Sequence, residues 1–338
     1  MLGVGTVGSV LLERLAGLDT APLKLCLLAN SRQRCVDANG LEPMATLACL
    51  HAAGDGVQPH AGDGRLPAFF RPGDIVVDAT ASESLAGWHP RWLRRGLHVV
   101  TANKLGIGGP LLRYQRIRRQ LGQGGGYGDA ATVGAGLPLL RCVRDLRSGG
   151  DHVKALAGVL SGTLAWLFDG YDGSAPFSER VRAAVAAGYA EPDPRVDLSG
   201  EDVRRKLLIL ARTAGYPLDG SEVQVESLLT PALCQAGDAT GIDAALASLD
   251  AVLASRARGA SANGQVLRYV ARLDRDGARV GLESLPRDHA LAQGGACDNR
   301  VAFWSCRYGE RPLVIQGPGA GAGVTAAALI DDLRRVVS

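Results

Sequence analysis

Three stretches of the chain combine residue types and spacings that can do chemistry. The first is Gly3-x-Gly5-x-x-Gly8, which opens a helix-forming run. Its glycines let a backbone turn tightly and approach a pyrophosphate, whose charge is favoured at a helix N-terminus. Glycine turns also punctuate many α/β proteins, so a purely structural turn is the competing reading. The second is Thr101-Ala102-Asn103-Lys104, directly after an apolar run ending at Val100. In open parallel sheets ligands bind beyond the carboxyl ends of the strands. That puts Lys104 where a substrate carboxylate or carbonyl can meet it, with a solvated loop lysine as the plain alternative. The third runs from Gly188 to Lys206 and holds Glu191, Asp193, Asp197, Glu201 and Asp202 in a proline-punctuated loop entering a helix. Asp202 and Lys206, four apart, share a helix face. The residues after Lys206, Leu207 to Ala211, are apolar all round and therefore expected to be buried. A lysine held on that packed side beside carboxylates is a candidate acid or base. Against this, Ser199 and Asp202 fit a capping box, and an Asp–Lys pair four apart is common surface decoration.

Positioning such groups requires a particular architecture. Ser9 to Leu18 reads as a helix, and Leu23 to Ala29 as an apolar strand. A Gly/Asp-rich loop spans Gly54 to Gly64. Asp74 to Ala79 reads as strand, Trp88 to Gly96 as helix, Leu97 to Thr101 as strand and Leu111 to Leu121 as helix. Alternation of this kind predicts an α/β fold with a Rossmann-like, doubly wound parallel sheet. Only Met1 and Leu2 precede the glycine turn, so the first strand of such a sheet is nearly missing. Either the start lies elsewhere, or the chain was once the C-terminal part of something longer. The second strand runs into Ala29-Asn30-Ser31-Arg32. An acidic residue there would accept a ribose diol. None is present, and Arg32 could meet a 2′-phosphate, which favours NADP over NAD, unless Arg32 is only a solvated loop residue.

The run Gly122 to Gly128 breaks the pattern and suggests a domain edge. Past it, Val153 to Leu160 reads as strand, and Pro176 to Ala187 and Ser199 to Ala214 as helices. Thr240 to Ala254 reads as a helix ended by Arg256, Arg258 and Gly259. Val266 to Leu273, Arg279 to Leu285 and Ala302 to Arg307 read as strands of a second sheet. Gly323 to Val337 reads as a last helix after a Gly-Pro-Gly-Ala-Gly turn. The expectation is a dinucleotide-binding domain over 1–130, joined by the returning segment 311–338. An α+β catalytic and dimerisation domain over 131–310 is expected beside it.

Composition narrows the partners. At 338 residues the chain exceeds one domain's usual share. Thirty-seven Lys plus Arg against 34 Asp plus Glu leave a net charge of +3, too small a surplus to argue for nucleic acid. No stretch reaches the roughly 18 consecutive apolar residues of a membrane span; the richest, Ala155 to Phe168, is broken by Gly158, Ser161, Gly162 and Thr163. The N-terminus lacks the basic and apolar regions of a signal peptide. Seven cysteines, odd in number and never in Cys-x-x-Cys spacing, read as free thiols in a reducing, cytoplasmic compartment. The six histidines show no metal-ligand spacing.

Taken together, several motifs resemble homoserine dehydrogenase. They are Val99-Val100-Thr101-Ala102-Asn103-Lys104, Ala131-Thr132-Val133-Gly134-Ala135-Gly136-Leu137-Pro138, Ser161-Gly162-Thr163-Leu164, Tyr189 to Lys206, and Gly317-Pro318-Gly319-Ala320-Gly321. They occur in the family's order and cover nearly the whole chain. The likeness is strongest to the dehydrogenase half of bifunctional aspartokinase–homoserine dehydrogenases, which would account for the abrupt start. The resemblance implies reversible reduction of L-aspartate 4-semialdehyde to L-homoserine by NADPH or NADH, in threonine and methionine biosynthesis. It implies Lys206 as proton donor to the nascent alkoxide, with Lys104 near substrate and nicotinamide. Glu191 and Asp202 would hold the substrate ammonium, with Asp197 and the Gly162-Thr163 turn nearby. Val4, Gly5, Thr6, Val7, Thr80, Lys104 and Gly321 match cofactor-contacting positions, and Gly3 and Gly8 of the glycine turn join them, as does Arg32, on the residues' own chemistry. A homodimer through the second domain is implied as well.

The chain departs from the family pattern in three places. The first strand is short. The family's alkali-metal site (Na or K) uses backbone carbonyls matching Val133, Ala135 and Leu137 and often a carboxylate; here Ala130 holds the carboxylate's position, with Asp129 one residue earlier. Neither a kinase nor a C-terminal regulatory region is expected, nor the feedback control they would bring. Two rivals stand beside this reading: another NAD(P)-linked amino-acid dehydrogenase, which would not need the Glu191-to-Lys206 group, and a non-catalytic dinucleotide-binding subunit, which would not need Lys104, Glu191, Asp202 and Lys206 together.

Overall fold

The computed structural model describes residues 1–18, 23–52, 56–60, 62–121, 125–295 and 297–337. They divide into two units, Met1–Gly136 with Ala320–Ser338, and Leu137–Gly319. The first begins with helix α1 (Thr6–Ala16), strand β1 (Leu27–Ala29), strand β2 (Gln33–Val36), helix α2 (Pro43–Ala52) and the two-residue strand β3 (Gln58–Pro59). It continues with β4 (Ile75–Asp78), short helices α3 (Glu83–Ala86) and α4 (His89–Arg94), β5 (His98–Thr101), α5 (Leu105–Gly108), α6 (Leu111–Leu121) and β6 (Tyr127–Gly128). β4, β5 and β6 pair in parallel, while β2 and β3 extend β1 antiparallel.

A single residue links the two halves of this sheet. Leu2 bridges Ala29 of β1 on one side and Asp78 of β4 on the other, both in parallel. Its amide donates to the Val77 carbonyl at 2.8 Å, and its carbonyl accepts from Ala79 at 2.9 Å. The missing first strand is thus replaced by one residue. The chain leaves Leu2 for β1 on one side and for β4 on the other, which is the topological switch where α/β sheets bind ligands. The Met1 amine is buried and donates to the Leu27 carbonyl; burial pushes its pKa down to about 5. Apolar packing secures the arrangement. Leu11 and Leu12 of α1, Leu28 of β1, Val77 of β4 and Val100 of β5 form one buried cluster with Ala326, Leu329 and Leu333. Each Leu or Val among them contributes about 1.5–3 kcal/mol on burial.

The second unit opens with α7 (Leu139–Ser148), β7 (Val153–Val159), α8 (Gly162–Phe168), α9 (Phe177–Ala186), α10 (Arg195–Leu198) and α11 (Glu201–Ala214). After β8 (Val223–Val225) come α12 (Pro231–Gln235), α13 (Ala239–Ala245) and α14 (Asp250–Ala262). Strands β9 (Gln265–Asp274), β10 (Gly277–Pro286), β11 (Asp298–Ser305) and β12 (Leu313–Pro318) complete it. Six strands form one sheet in the order β12-β11-β7-β9-β10-β8, antiparallel except for the β10–β8 pair. The final helix α15 (Ala322–Val337) belongs to the first unit and packs against α1.

Several local expectations change. The glycine run 122–128 is not the edge between units; residues 122–124 lie outside the described residues, and Tyr127–Gly128 pairs with β5 as β6. The division falls at Gly136/Leu137 and Gly319/Ala320. The stretch 311–319 stays with the second unit, because Leu313–Pro318 is a strand paired with β11. The helix expected over Thr240–Ala254 is interrupted at Leu246–Leu249 by a 3-10 turn and restarts at Asp250, whose carboxylate takes the Ser178 amide and hydroxyl. Arg256 and Arg258 do not end it. They tie α14 to Glu226, to the Leu282 carbonyl and to the Gly173 carbonyl. The strand expected to reach Arg307 stops at Ser305, where the Asp151 carboxylate takes the Ser305 hydroxyl at 2.7 Å and the Cys306 amide at 2.9 Å. Strand β2 and helices α2, α7 and α8 were not expected from the sequence.

All seven cysteines are free. Among the described residues no helix is long and apolar enough to cross a membrane. No group of three or more His, Cys, Asp or Glu among them is placed to hold a metal.

Candidate active site

In the first unit the three motif glycines do two different jobs. Gly3 adopts φ +94°, and a Cβ there would lie 2.8–2.9 Å from Thr80 and the Ala79 backbone. Gly8 is already inside α1, which begins three residues before the expected Ser9; a Cβ on it would lie 2.1 Å from the Gly3 carbonyl oxygen. Both positions are therefore fixed by packing. Around Gly5 no protein atom lies within 4 Å of such a Cβ. Gly5 caps α1 with no side-chain partner, and Gly5 and Thr6 are exposed. The absent side chain at Gly5 leaves the helix N-terminus open to an anion. Val4 and Val7 pack against the core beneath it.

Thr80 and Lys104 stand at the carboxyl ends of neighbouring strands. The buried Asp78 carboxylate accepts the Thr80 amide (2.9 Å) and hydroxyl (2.7 Å) through one oxygen. Through the other it accepts Asn103 Nδ2 (3.0 Å) and His89 Nε2 (2.9 Å). Asn103 in turn accepts the Leu105 amide, so Lys104 is pinned between two bonded neighbours at the start of α5. Gly321 adopts φ +122°, and its carbonyl accepts the amide and hydroxyl of Thr325 at the start of α15. Arg32 lies exposed on the turn between β1 and β2. Asn30 Oδ1 holds that turn by accepting the amides of Arg32 and Gln33.

In the second unit the five carboxylates of the Gly188–Lys206 stretch are sorted by their partners. Asp193 is taken by Arg195, which holds its carboxyl below the usual range. Glu201 is taken by Arg204. Neither is left for a ligand. Asp202 pairs with Lys206 Nζ at 2.8 Å. Lys206 is 9% exposed and also donates to the Leu160 carbonyl at 2.7 Å, at the end of β7. Asp197 accepts the Glu191 amide at 2.9 Å; burial raises its pKa, and the nearby Asp202 charge adds to the rise. Thr163 donates to the Tyr189 carbonyl at 2.7 Å. The Glu191 carboxylate is exposed and takes no protein partner among the described residues. A cavity of about 410 Å³ is lined by Thr163, Tyr189, Glu191, Asp197 and their neighbours.

Two local readings are corrected here. Ser199 does not cap α11. The cap is Gly200 at φ +76°; the Ser199 hydroxyl donates to the Val196 carbonyl and accepts the Glu201 amide at 3.3 Å. A short helix, α10, ends at Leu198, and the left-handed Gly200 redirects the chain into α11. Gly162 and Thr163 are not a free turn but the first residues of α8, capped by Ser161. Sequence reasoning missed Asp78, His89 and the Leu160 carbonyl. An acidic residue ending the apolar strand β4 was the signal available for Asp78; the other two depend on contacts across tens of residues. Val133 and Ala135 are buried, and Gly134 and Ala135 take φ +73° and +51°.

Comparison with known proteins identifies the family. The family described as homoserine dehydrogenase matches residues 138–333, and the one described as homoserine dehydrogenase, NAD binding domain, matches residues 3–126. A homoserine dehydrogenase of Emericella nidulans is 38% identical over the whole chain and 97% of its own length. The bifunctional aspartokinase/homoserine dehydrogenase 2 of Escherichia coli is 46% identical over 78% of this chain. The match covers 32% of that relative, so the chain spans about a third of the length of the bifunctional proteins it resembles. A hyperthermophilic archaeal homoserine dehydrogenase solved in complex with NADPH shares the fold at a TM-score of 0.73 and 19% identity, over 99% of this chain and 95% of that one. With both halves matched and a relative aligned end to end, the chain belongs to the homoserine dehydrogenase family.

Proposed function

We propose that the chain reduces L-aspartate 4-semialdehyde to L-homoserine with NAD(P)H, reversibly, in threonine and methionine biosynthesis. The observation that carries this is Lys206, a nearly buried lysine paired with Asp202 and aimed at the Leu160 carbonyl. When bound, the nicotinamide supplies the hydride. The protein's own task is to orient the substrate and deliver a proton to the alkoxide oxygen. Lys206 is the proton donor in this reading, with Lys104 as the second catalytic lysine. Glu191 and Asp202 hold the substrate ammonium, and Asp197, Gly162 and Thr163 shape the same end. Purified protein should oxidise L-homoserine with NADP+, and no turnover with either nicotinamide cofactor would reject the assignment.

Gly3 to Gly8, Thr80, Lys104 and Gly321 are the residues we assign to the cofactor, with NADP(H) preferred. No carboxylate follows β1, and the exposed Arg32 offers a cation for a 2′-phosphate. Arg32→Ala should raise the KM for NADPH roughly 10- to 100-fold more than that for NADH, since a charge-assisted bond to phosphate is worth about 1.5–3 kcal/mol. Equal effects on both cofactors would reject the role.

On the family likeness alone we assign the carbonyls of Val133, Ala135 and Leu137 to a monovalent cation; the Leu137 carbonyl also accepts the Leu139 amide at 2.8 Å. A left-handed alanine is unfavourable by about 1–2 kcal/mol, and the pair of left-handed residues re-aims neighbouring carbonyls, hard donors of the kind alkali ions prefer. The ion would stabilise this turn. We also propose a homodimer through the second unit, on the family likeness and the Val- and Leu-rich β9 and β10. Sedimentation at micromolar concentration should give twice the 35.2 kDa chain mass, and a monomer there counts against it.

A further inference from the structure

We propose that His89 is a positioning residue for the cofactor-binding edge of the first unit, acting through Asp78 and Tyr127; this rests on the functional reading above. His89 and Asp78 are both 0% exposed. An ionised carboxylate offers about four lone-pair sites, and Asp78 has four donors: the Thr80 amide and hydroxyl, Asn103 Nδ2 and His89 Nε2. Because the carboxylate only accepts, Nε2 carries the proton. In the neutral ring Nδ1 is then the acceptor, and the Tyr127 hydroxyl donates to it at 2.8 Å. The chain of bonds therefore runs Tyr127, His89, Asp78, and divides to Thr80 and Asn103.

One branch ends on Thr80, which we assign to the cofactor, and the other on Asn103, the neighbour of Lys104. Thr80 lies against Gly3, at the distance where a Cβ on Gly3 would collide with it. Asn103 precedes Lys104, donates to the Ser82 carbonyl as well as to Asp78, and accepts the Leu105 amide. A second contact fixes the same loop from below. Gly106, two residues after Lys104, sits so close that a Cβ on it would lie 2.3 Å from the Tyr127 hydroxyl and 2.8 Å from His89 Nδ1. The imidazole and phenol are thus the floor on which α5 rests, and the imidazole is also the fourth ligand of the carboxylate that sets Thr80 and Asn103. Without it, a buried carboxylate would lack a donor and would draw Thr80 or Asn103 out of place. The glycine turn and Lys104 would be displaced together.

The test is a set of variants read by the dissociation constant for NADPH on the free protein, followed by its fluorescence, beside steady-state kinetics. H89F keeps an aromatic ring of similar size but loses both polar contacts. It should weaken NADPH binding about tenfold or more and raise its KM, while the KM for homoserine stays near wild type. H89Q can still donate to Asp78 from its amide and should recover most of the loss. L93A removes a buried neighbour on α4 that makes no polar contact in the network; it should lower Tm and leave NADPH binding unchanged. If H89F does not fold, Y127F, which deletes one hydroxyl, should weaken NADPH binding roughly threefold. H89F, or Y127F in its place, with a lowered Tm but a wild-type NADPH dissociation constant would overturn the proposal, since the network would then serve stability alone. A wild-type protein that binds NADPH but does not oxidise homoserine would sink the functional reading and leave this one to stand or fall on the dissociation constants.

Discussion

Lys206→Ala should lower the turnover number for homoserine oxidation by roughly 10²- to 10⁴-fold, the range of positioned acid–base catalysis, and leave NADPH binding nearly intact. The reasoning starts from where the ammonium is. Lys206 lies one turn after Asp202 on α11, and the residues that follow it, Leu207 to Ala211, are buried. Its Nζ is held by the Asp202 carboxylate and the Leu160 carbonyl. These two bonds leave one of its three N–H groups to point at an alkoxide, without the rotamer search of a solvated lysine. Lys206→Arg should rescue poorly, because guanidinium hardly gives up a proton. Asp202→Asn should act differently: it keeps an acceptor for Lys206 but removes the charge that holds the substrate ammonium, so the homoserine KM should rise more than turnover falls. The decisive comparison is with Lys104→Ala. Were that variant to lose turnover while Lys206→Ala kept it, the acid would be Lys104 and the roles assigned here would be reversed.

Lys206 and Asp202 were legible in the sequence because the relation between them is local. Four residues on one helix put two side chains on one face, and the apolar run behind them says which face is packed. The same logic placed α6 and α11 to within two residues at each end. What could not be read was which carboxylate goes with which cation. Asp193 and Glu201 look equivalent to Glu191 and Asp202 along the chain, yet Arg195 and Arg204 take them. The buried network escaped notice for a stronger reason. Asp78 meets His89 across 11 residues, Asn103 across 25, and His89 meets Tyr127 across 38; no periodicity connects such positions. Leu2 was misjudged for a third reason. Strand formation is ordinarily read from a run of residues, whereas here one residue, paired on both sides, closes the gap between β1 and β4.

The glycine motif is where local pattern and tertiary role come apart, and paired substitutions should separate them. In sequence Gly5 and Gly8 look alike. Gly8→Ala puts a Cβ 2.1 Å from the Gly3 carbonyl oxygen, a backbone atom that is itself fixed by the Gly3 amide's bond to Ala29. Neither partner can yield without moving α1 or the Leu2 bridge, so stability should fall by about 1–3 kcal/mol or more, as for other overpacked sites, with Tm lowered accordingly. Gly5→Ala meets no protein atom within 4 Å, and Gly5 has an ordinary φ of −71°. Its Tm should stay at or slightly above wild type, because alanine narrows the unfolded ensemble by roughly 0.4–1 kcal/mol at a compatible φ. The methyl would instead stand in front of the first amides of α1, where the pyrophosphate is proposed to sit. Losing the bonds those amides make to an anion, worth about 1.5–3 kcal/mol, should raise the KM for NADPH roughly 10- to 100-fold. Calorimetry and cofactor titration on the two variants give opposite signatures if the glycines differ in this way. A Gly5→Ala protein that binds NADPH like wild type would mean that no phosphate approaches α1, and that the open space before Gly5 serves no ligand.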